Sequence, residues 1–282
     1  MTQQVRDQLQ RFGIWRRAGQ VSEVEAAGLE RLGFGALWLG GSPSGDLQQV
    51  EQLLAATATL TLATSIVNMW QSDAREVAAS FARIETRYPG RFLLGVGTGH
   101  HEATQRYAKP YETMSGYVDV LLGNGVPQAS LVLAALGPKM LRLAAERAAG
   151  AHPYLVTPAH TRQARAILGA GPLLAPEQKV VLGADPERAR AIGRARVQNP
   201  YLGLVNYTNN LRRLGWSEDD LSGGGSDALI DALVAHGSPD EVVARLTGHL
   251  DAGADHVVIQ LLTGPAADLQ DGYLQLARAL GL

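Results

Sequence analysis

The sequence predicts an α/β protein, a single (β/α)8 barrel occupying residues 1–282 with a short insertion near 198–226. Three observations carry that prediction. A charged amphipathic helix that ends at glycine and leads within a few residues into a short apolar run occurs four times; four further apolar runs fill the gaps; and none of the eight shows clean polar alternation. Strands covered on both faces read as such continuous runs, and eight of them alternating with helices close into a parallel barrel more readily than they spread into an open sheet.

Taken in order, the first strand falls at Phe12–Trp15, and the second at Ala36–Leu39 after the helix end Leu29-Glu30-Arg31-Leu32-Gly33. The third runs over Leu60–Val67. The fourth, Phe92–Leu94, follows Ile84 to Gly90, and the fifth is Leu131–Ala135. The sixth is read at Tyr154–Val156 after Ala145 to Gly150, the seventh at Lys179–Leu182, and the eighth at Val257–Ile259 after Leu250 to Gly253. Glycine suits each helix end because the residue there often adopts a left-handed backbone. Asp185-Pro186-Glu187 and Ser238-Pro239-Asp240-Glu241 mark helix starts, each with a capping side chain before proline and acid in the first turn; the second has the spacing of a capping box. Gln198 to Gly225, ending in a glycine run, breaks the rhythm and is expected to hold an extra helix and a mobile loop.

Composition removes several function classes. With 282 residues, 46% of them hydrophobic, the chain can bury one substantial core. A net charge of −2 with three lysines and scattered arginines leaves no footprint for nucleic acid or an anionic membrane, so a small molecule is the expected partner. The absence of cysteine excludes disulfides, thiolate metal sites and cysteine nucleophiles. No histidine spacing matches a zinc site, so no metal is expected. The polar N-terminus and the lack of any apolar run of the roughly 18 residues that a membrane span needs give a cytoplasmic expectation.

In such a barrel, functional groups follow the C-terminal strand ends. After strand three comes Ser65-Ile66-Val67-Asn68, after strand four Gly97-Thr98-Gly99-His100, after strand five Ala135-Leu136-Gly137-Pro138, and after strand six Thr157-Pro158-Ala159-His160-Thr161. The GxGxG spacing is a poor dinucleotide fingerprint. It reads either as a surface on which a planar ring lies close to the backbone or as tight packing at the rim. His100 is the candidate proton carrier, because adjacent histidines on extended backbone point opposite ways and His100 is taken to face the mouth. His101, His152, His236 and His249 are read as surface or capping residues, and His256 as structural. Gly137-Pro138 and Thr157-Pro158 place free backbone N–H groups at helix starts, which serve equally for helix initiation and for holding a phosphate.

Four stretches together resemble the F420-dependent branch of the luciferase-like monooxygenase superfamily: Ala63 to Asn68, Arg87-Tyr88-Pro89-Gly90-Arg91-Phe92-Leu93-Leu94-Gly95-Val96-Gly97-Thr98-Gly99, Leu133 to Pro138, and Ala252 to Val257. The resemblance implies a barrel carrying coenzyme F420, or FMN in cousins, across its mouth, with the cofactor tail over the loops of strands five and six. It implies cofactor contacts at Ser65, Ile66, Val67, Asn68, Gly97, Thr98, Gly99, His100, Ala135, Leu136, Gly137, Pro138, Thr157, Pro158, His160 and Thr161. It also implies a non-prolyl cis peptide at Ser65-Ile66. The chain departs from the pattern at strand two, where Gly41 and Ser42 stand in place of an acid and a histidine, and after the glycine run, where His100 replaces glutamate. The expected function is hydride transfer between F420 and a small organic substrate. An FMN-dependent monooxygenase served by a partner reductase and a non-catalytic deazaflavin-binding protein are the alternatives. Relatives often pair as homodimers, but no apolar stripe in the sequence marks an interface.

Overall fold

The structure, a computed structural model, describes residues 8–99, 109–183, 185–264 and 269–282. The chain opens with β1 (Phe12–Arg17), α1 (Glu23–Arg31), β2 (Ala36–Gly40), α2 (Gln48–Ala55), β3 (Thr61–Ser65) and the short β4 (Val67–Asn68). Next come α3 (Ala74–Arg87), β5 (Phe92–Gly97), α4 (Pro110–Gly123), β6 (Leu131–Leu133), α5 (Pro138–Arg147), β7 (Gly150–Ala151) and α6 (Pro158–Leu168). Then follow β8 (Leu173–Leu174), β9 (Glu177–Leu182), α7 (Pro186–Gln198), α8 (Val205–Arg213), α9 (Glu218–Leu221) and α10 (Asp227–Leu233). The chain finishes with β10 (Val234–Gly237), α11 (Pro239–Asp251), β11 (Val257–Leu261) and α12 (Leu269–Leu280).

Local chemistry explains these elements. The Asp73 carboxylate accepts from the N–H groups of Arg75 and Glu76, starting α3, whose buried Val77, Phe81 and Ile84 recur at helical spacing. Ser238 and Glu241 form the expected capping box of α11, and Asp185 caps α7.

Every strand pair is parallel, and the order is β10-β9-β11-β1-β2-β3-β5-β6-β7-β8. β8 and β9 are halves of one extended segment, interrupted only at Ala175-Pro176. On one side that segment bonds the β7 region, through Ala175 N–H to Ala151 O at 3.0 Å and Glu177 N–H to Pro153 O at 2.9 Å. On the other it accepts the Val258 N–H of β11 at Pro176 O, 2.9 Å. The curled sheet therefore returns on itself, and β10 is an extra strand flanking β9. Alternation along β2 separates two cores: Ala36 and Trp38 face the barrel interior with Ala63, Val132 and Val258, while Leu37 and Leu39 pack outward under the helices. Alanines on neighbouring strands make room for the fully buried Trp38 indole, which donates to Nε2 of His256 at 3.1 Å.

At the N-terminal end of the strands, Arg91 from the Tyr-Pro-Gly-Arg-Phe motif donates to Thr57 O at 2.9 Å, Leu60 O at 3.0 Å and Thr57 Oγ1 at 2.7 Å. Glu30 accepts the backbone N–H groups of Ala58, Thr59 and Leu60. The motif arginine thus ties the α2–β3 turn to β5 and belongs to the stability of the fold rather than to its mouth.

Two expectations change. The sixth strand is Gly150–Ala151, not Tyr154–Val156, because Pro153 has no N–H for a ladder and Leu155 takes a left-handed φ of 54°. Residues 198–226 hold α8 and α9 rather than one helix, joined to α7 and α10 by buried Leu204, Tyr207, Leu211 and Leu221. The glycine run is a hydrogen-bonded turn, Gly225 N–H to Ser222 O at 2.8 Å.

Candidate functional site

The C-terminal mouth has two unlike halves. On the β3–β5–β6 side the chain presents a shelf. The Ser65-Ile66 peptide is cis, as the family pattern implied, and divides β3 from β4. Ser65, Ile66, Thr98, Gly99, Leu136 and Gly137 are half-buried and form its accessible surface, whereas Val67, Asn68, Gly97 and Ala135 are buried directly behind them. A Cβ on Gly97 would come within 2.7 Å of Ile66 and 2.9 Å of Ala134, so only glycine allows these three strand ends to approach as they do. His100 lies outside the described residues.

Two helix starts border the shelf. Gly137 caps α5 with no side-chain acceptor, so no cap covers the N–H groups of Lys139 and Met140, and Nη2 of Arg213 stands 3.8 Å from where a Gly137 Cβ would be. Thr157 caps α6 by accepting from the His160 N–H at 3.4 Å. His160 is 2% exposed and donates from Nε2 to Leu136 O at 2.9 Å, which makes Nδ1 an acceptor; that atom is buried with no partner among the described residues. Burial holds the His160 pKa below its ordinary value, with the nearby Arg213 acting in the same direction. Thr161, by contrast, has no exposed surface, and its hydroxyl meets Nδ1 of His249 at 2.8 Å, away from the mouth. The shelf and its border fit a tailed planar ring: His160 Nδ1 can accept from a polyol hydroxyl, and the open N–H groups of α5 with Arg213 can hold a phosphate.

The opposite half, on β1, β9 and β11, is made of side chains that sequence reading did not single out. Glu177 and Lys179 are buried and paired at 3.0 Å; Glu177 also accepts the Leu155 N–H at 3.0 Å, and the Lys179 ammonium lies 3.9 Å from the Tyr154 ring centre. Burial lowers the Lys179 pKa and Glu177 opposes that shift. Tyr154 donates to Gln260 Oε1 at 2.7 Å and stacks obliquely with Trp15 at 6.1 Å and with Tyr201 at 5.4 Å. One signal was present in the sequence: charges at alternate positions, Glu177 and Lys179, inside an apolar run place both on one face of a strand.

A hydrogen-bonded line joins the halves. Trp15 Nε1 donates to Ser65 Oγ at 3.0 Å, Ser65 lies 2.7 Å from His152 Nε2, and His152 Nδ1 lies 2.6 Å from Ala175 O. Since a carbonyl only accepts, Nδ1 carries the proton and Nε2 accepts from the serine hydroxyl. His152 is therefore an interior residue stacked on Trp38 at 4.5 Å, not the surface or capping residue expected, and burial lowers its pKa to about 4. His249 is likewise buried, donating to Gln178 Oε1 at 2.8 Å. His256 is structural, as read.

The parallel barrel is the fold of luciferase-like enzymes, and residues 21–124 match the family model described as luciferase-like monooxygenase. The chain is 24% identical to the 5,10-methylenetetrahydromethanopterin reductase of Archaeoglobus fulgidus, over 76% of this chain and 80% of that one. It shares its fold with an F420-dependent secondary alcohol dehydrogenase solved with an F420-acetone adduct (TM-score 0.71, 15% identity, 96% of this chain and 98% of that one). It also shares it with the oxygenating constituent of 3,6-diketocamphane monooxygenase from Pseudomonas putida, solved with FMN (TM-score 0.66, 13% identity, 96% and 97%). The chain thus resembles luciferase-like monooxygenases in sequence and shares its fold with F420-dependent and FMN-bound enzymes.

Proposed function

We propose that the protein is an F420-dependent oxidoreductase that transfers a hydride between the deazaflavin and a small organic substrate at the barrel mouth. The observation that carries this reading is the accessible shelf Ser65-Ile66, Thr98-Gly99 and Leu136-Gly137, bordered by the open start of α5, Arg213 and the orphaned His160 Nδ1. When bound, the deazaflavin supplies the hydride chemistry.

The chain does the rest. The shelf would hold the ring against its closely packed backbone, and the α5 start with Arg213 would hold the phosphate of the tail. Ser65, held between Trp15 and His152, keeps the shelf edge in one orientation. His100 is assigned the proton that accompanies the hydride, so His100→Ala lowers turnover by about 10²–10⁴-fold while cofactor affinity stays nearly intact. Unchanged turnover in steady-state assays of that variant removes histidine from the mechanism.

Titration of the purified chain with F420 and with FMN, followed by cofactor fluorescence, tests the reading: saturable F420 binding is expected. Tight FMN binding with no response to F420 replaces it with the second reading, a flavin-dependent monooxygenase, which the shared fold of the FMN-bound enzyme favours. F420 binding without turnover across alcohols, enones and quinones leaves a deazaflavin-binding protein.

A further inference from the structure

The side-chain half of the mouth encloses a cavity of about 260 Å³, walled by Trp15, Tyr154 and Tyr201. Ligand pockets usually measure roughly 300–1,000 Å³, so this one suits a compact molecule. Among the described residues its charge is one-sided: Arg16, Arg17, Lys179 and Arg196 line it, and no described aspartate or glutamate does. Two of these cations are neutralised from behind, Arg16 by Glu25 at 2.6 Å and Lys179 by Glu177 at 3.0 Å. Arg17, at the end of β1, and Arg196, in the last turn of α7, have no ion pair among the described residues. Both side chains line the cavity together with Tyr201, and both oppose the burial that raises the pKa of its hydroxyl. Two uncompensated positive charges over an aromatic wall attract an anion and hold a flat carbon skeleton.

We infer that this cavity binds the carboxylate of a small organic acid, with Arg17 and Arg196 gripping the carboxylate and Trp15, Tyr154 and Tyr201 covering the rest. Its use as the substrate site rests on the oxidoreductase reading: Trp15 bonds Ser65, so a molecule against the Trp15 ring lies beside the shelf. That the substrate is an acid does not follow from the fold; it follows from two arginines of this chain.

Calorimetric titration of the intact chain with cinnamate and its neutral isostere cinnamamide tests the inference without turnover. Cinnamate is expected to saturate and cinnamamide to bind at least tenfold more weakly. Arg17→Gln and Arg196→Gln are each expected to weaken cinnamate about tenfold, the loss of one charge-assisted bond, without moving the melting temperature because both side chains are exposed. Equal binding of the two probes, no cinnamate binding, or undiminished binding in both variants overturns the inference. The acidic tail of the cofactor is the other source of a carboxylate, and F420 compared with its tail-less deazaflavin riboside separates the two. Both should bind the variants as they bind the parent; a loss confined to F420 assigns the arginines to the tail and overturns the substrate site. If F420 fails to bind while cinnamate still depends on both arginines, the acid site stands and the F420-dependent reading falls.

Discussion

On the β3–β5–β6 side of the mouth the accessible surface is backbone and small or aliphatic side chains, whereas on the β1–β9–β11 side it is aromatic rings and cations. Backbone surface gives a flat rest and N–H groups whose positions are fixed by strand pairing. Side-chain surface gives charge and shape that a few substitutions can change. Under the proposed function, the first surface would hold a common planar group and the second would be free to select a particular small molecule.

The largest expected effect breaks the side-chain half alone. Lys179→Met leaves the Glu177 carboxylate buried without its cation, which costs about 3–5 kcal/mol in urea-melt stability. The double variant Glu177→Gln with Lys179→Met should recover much of that loss, because the uncompensated charge goes with it. A single variant as stable as the parent would mean the pair is not holding this half of the mouth.

Acid tests the line between the halves. Burial lowers the pKa of His152, His249 and His256 from 6.5 to about 4, so the folded chain stays unprotonated at these rings while the unfolded chain takes up protons. Stability is then complete above pH 6.5 and falls as pH drops toward 4, by about 1.4 kcal/mol per pH unit for each histidine. Chemical denaturation at several pH values measures this slope, and His152→Gln should flatten it by one histidine's share. A flat profile between pH 6.5 and 4 would show that these rings are accessible to protons.

The smallest effect sharpens the shelf half. Arg213→Ala should weaken F420 binding about tenfold, as expected for one charge-assisted contact to phosphate, and leave binding of the tail-less riboside and the melting temperature unchanged. Equal weakening of both compounds would place Arg213 at the ring instead of the tail.

The shelf was legible before the fold because its signals are local. Glycines at 97 and 99 and the prolines at 138 and 158 each act on their own backbone and follow strand ends as the sequence placed them, whereas the break after Ser65 falls inside the strand read over Leu60–Val67 and was implied only by the family resemblance. The sixth strand was misplaced for a related reason: hydrophobicity marks burial, and Tyr154-Leu155-Val156 includes buried residues that form no strand, while the short Gly150–Ala151 strand has almost no apolar signature. Histidines gave the weakest signal, since the same residue type serves equally well at a surface, a cap or an interior bond; His152 and His249 became readable only through Ser65, Ala175, Thr161 and Gln178.

By itself the sequence determined the alternation of strand and helix, the helix caps and the small-residue rim, because these follow from dihedral preference and from burial that repeats at short period. Tertiary structure alone decided the pairing of Trp38 with His256 across 218 positions, the approach of Arg213 to Gly137, and the one-sided charge of the cavity beside Trp15. Curling the sheet brings distant strand ends to one rim. Which side chains then meet depends on register and closure, quantities that no local stretch of chain encodes.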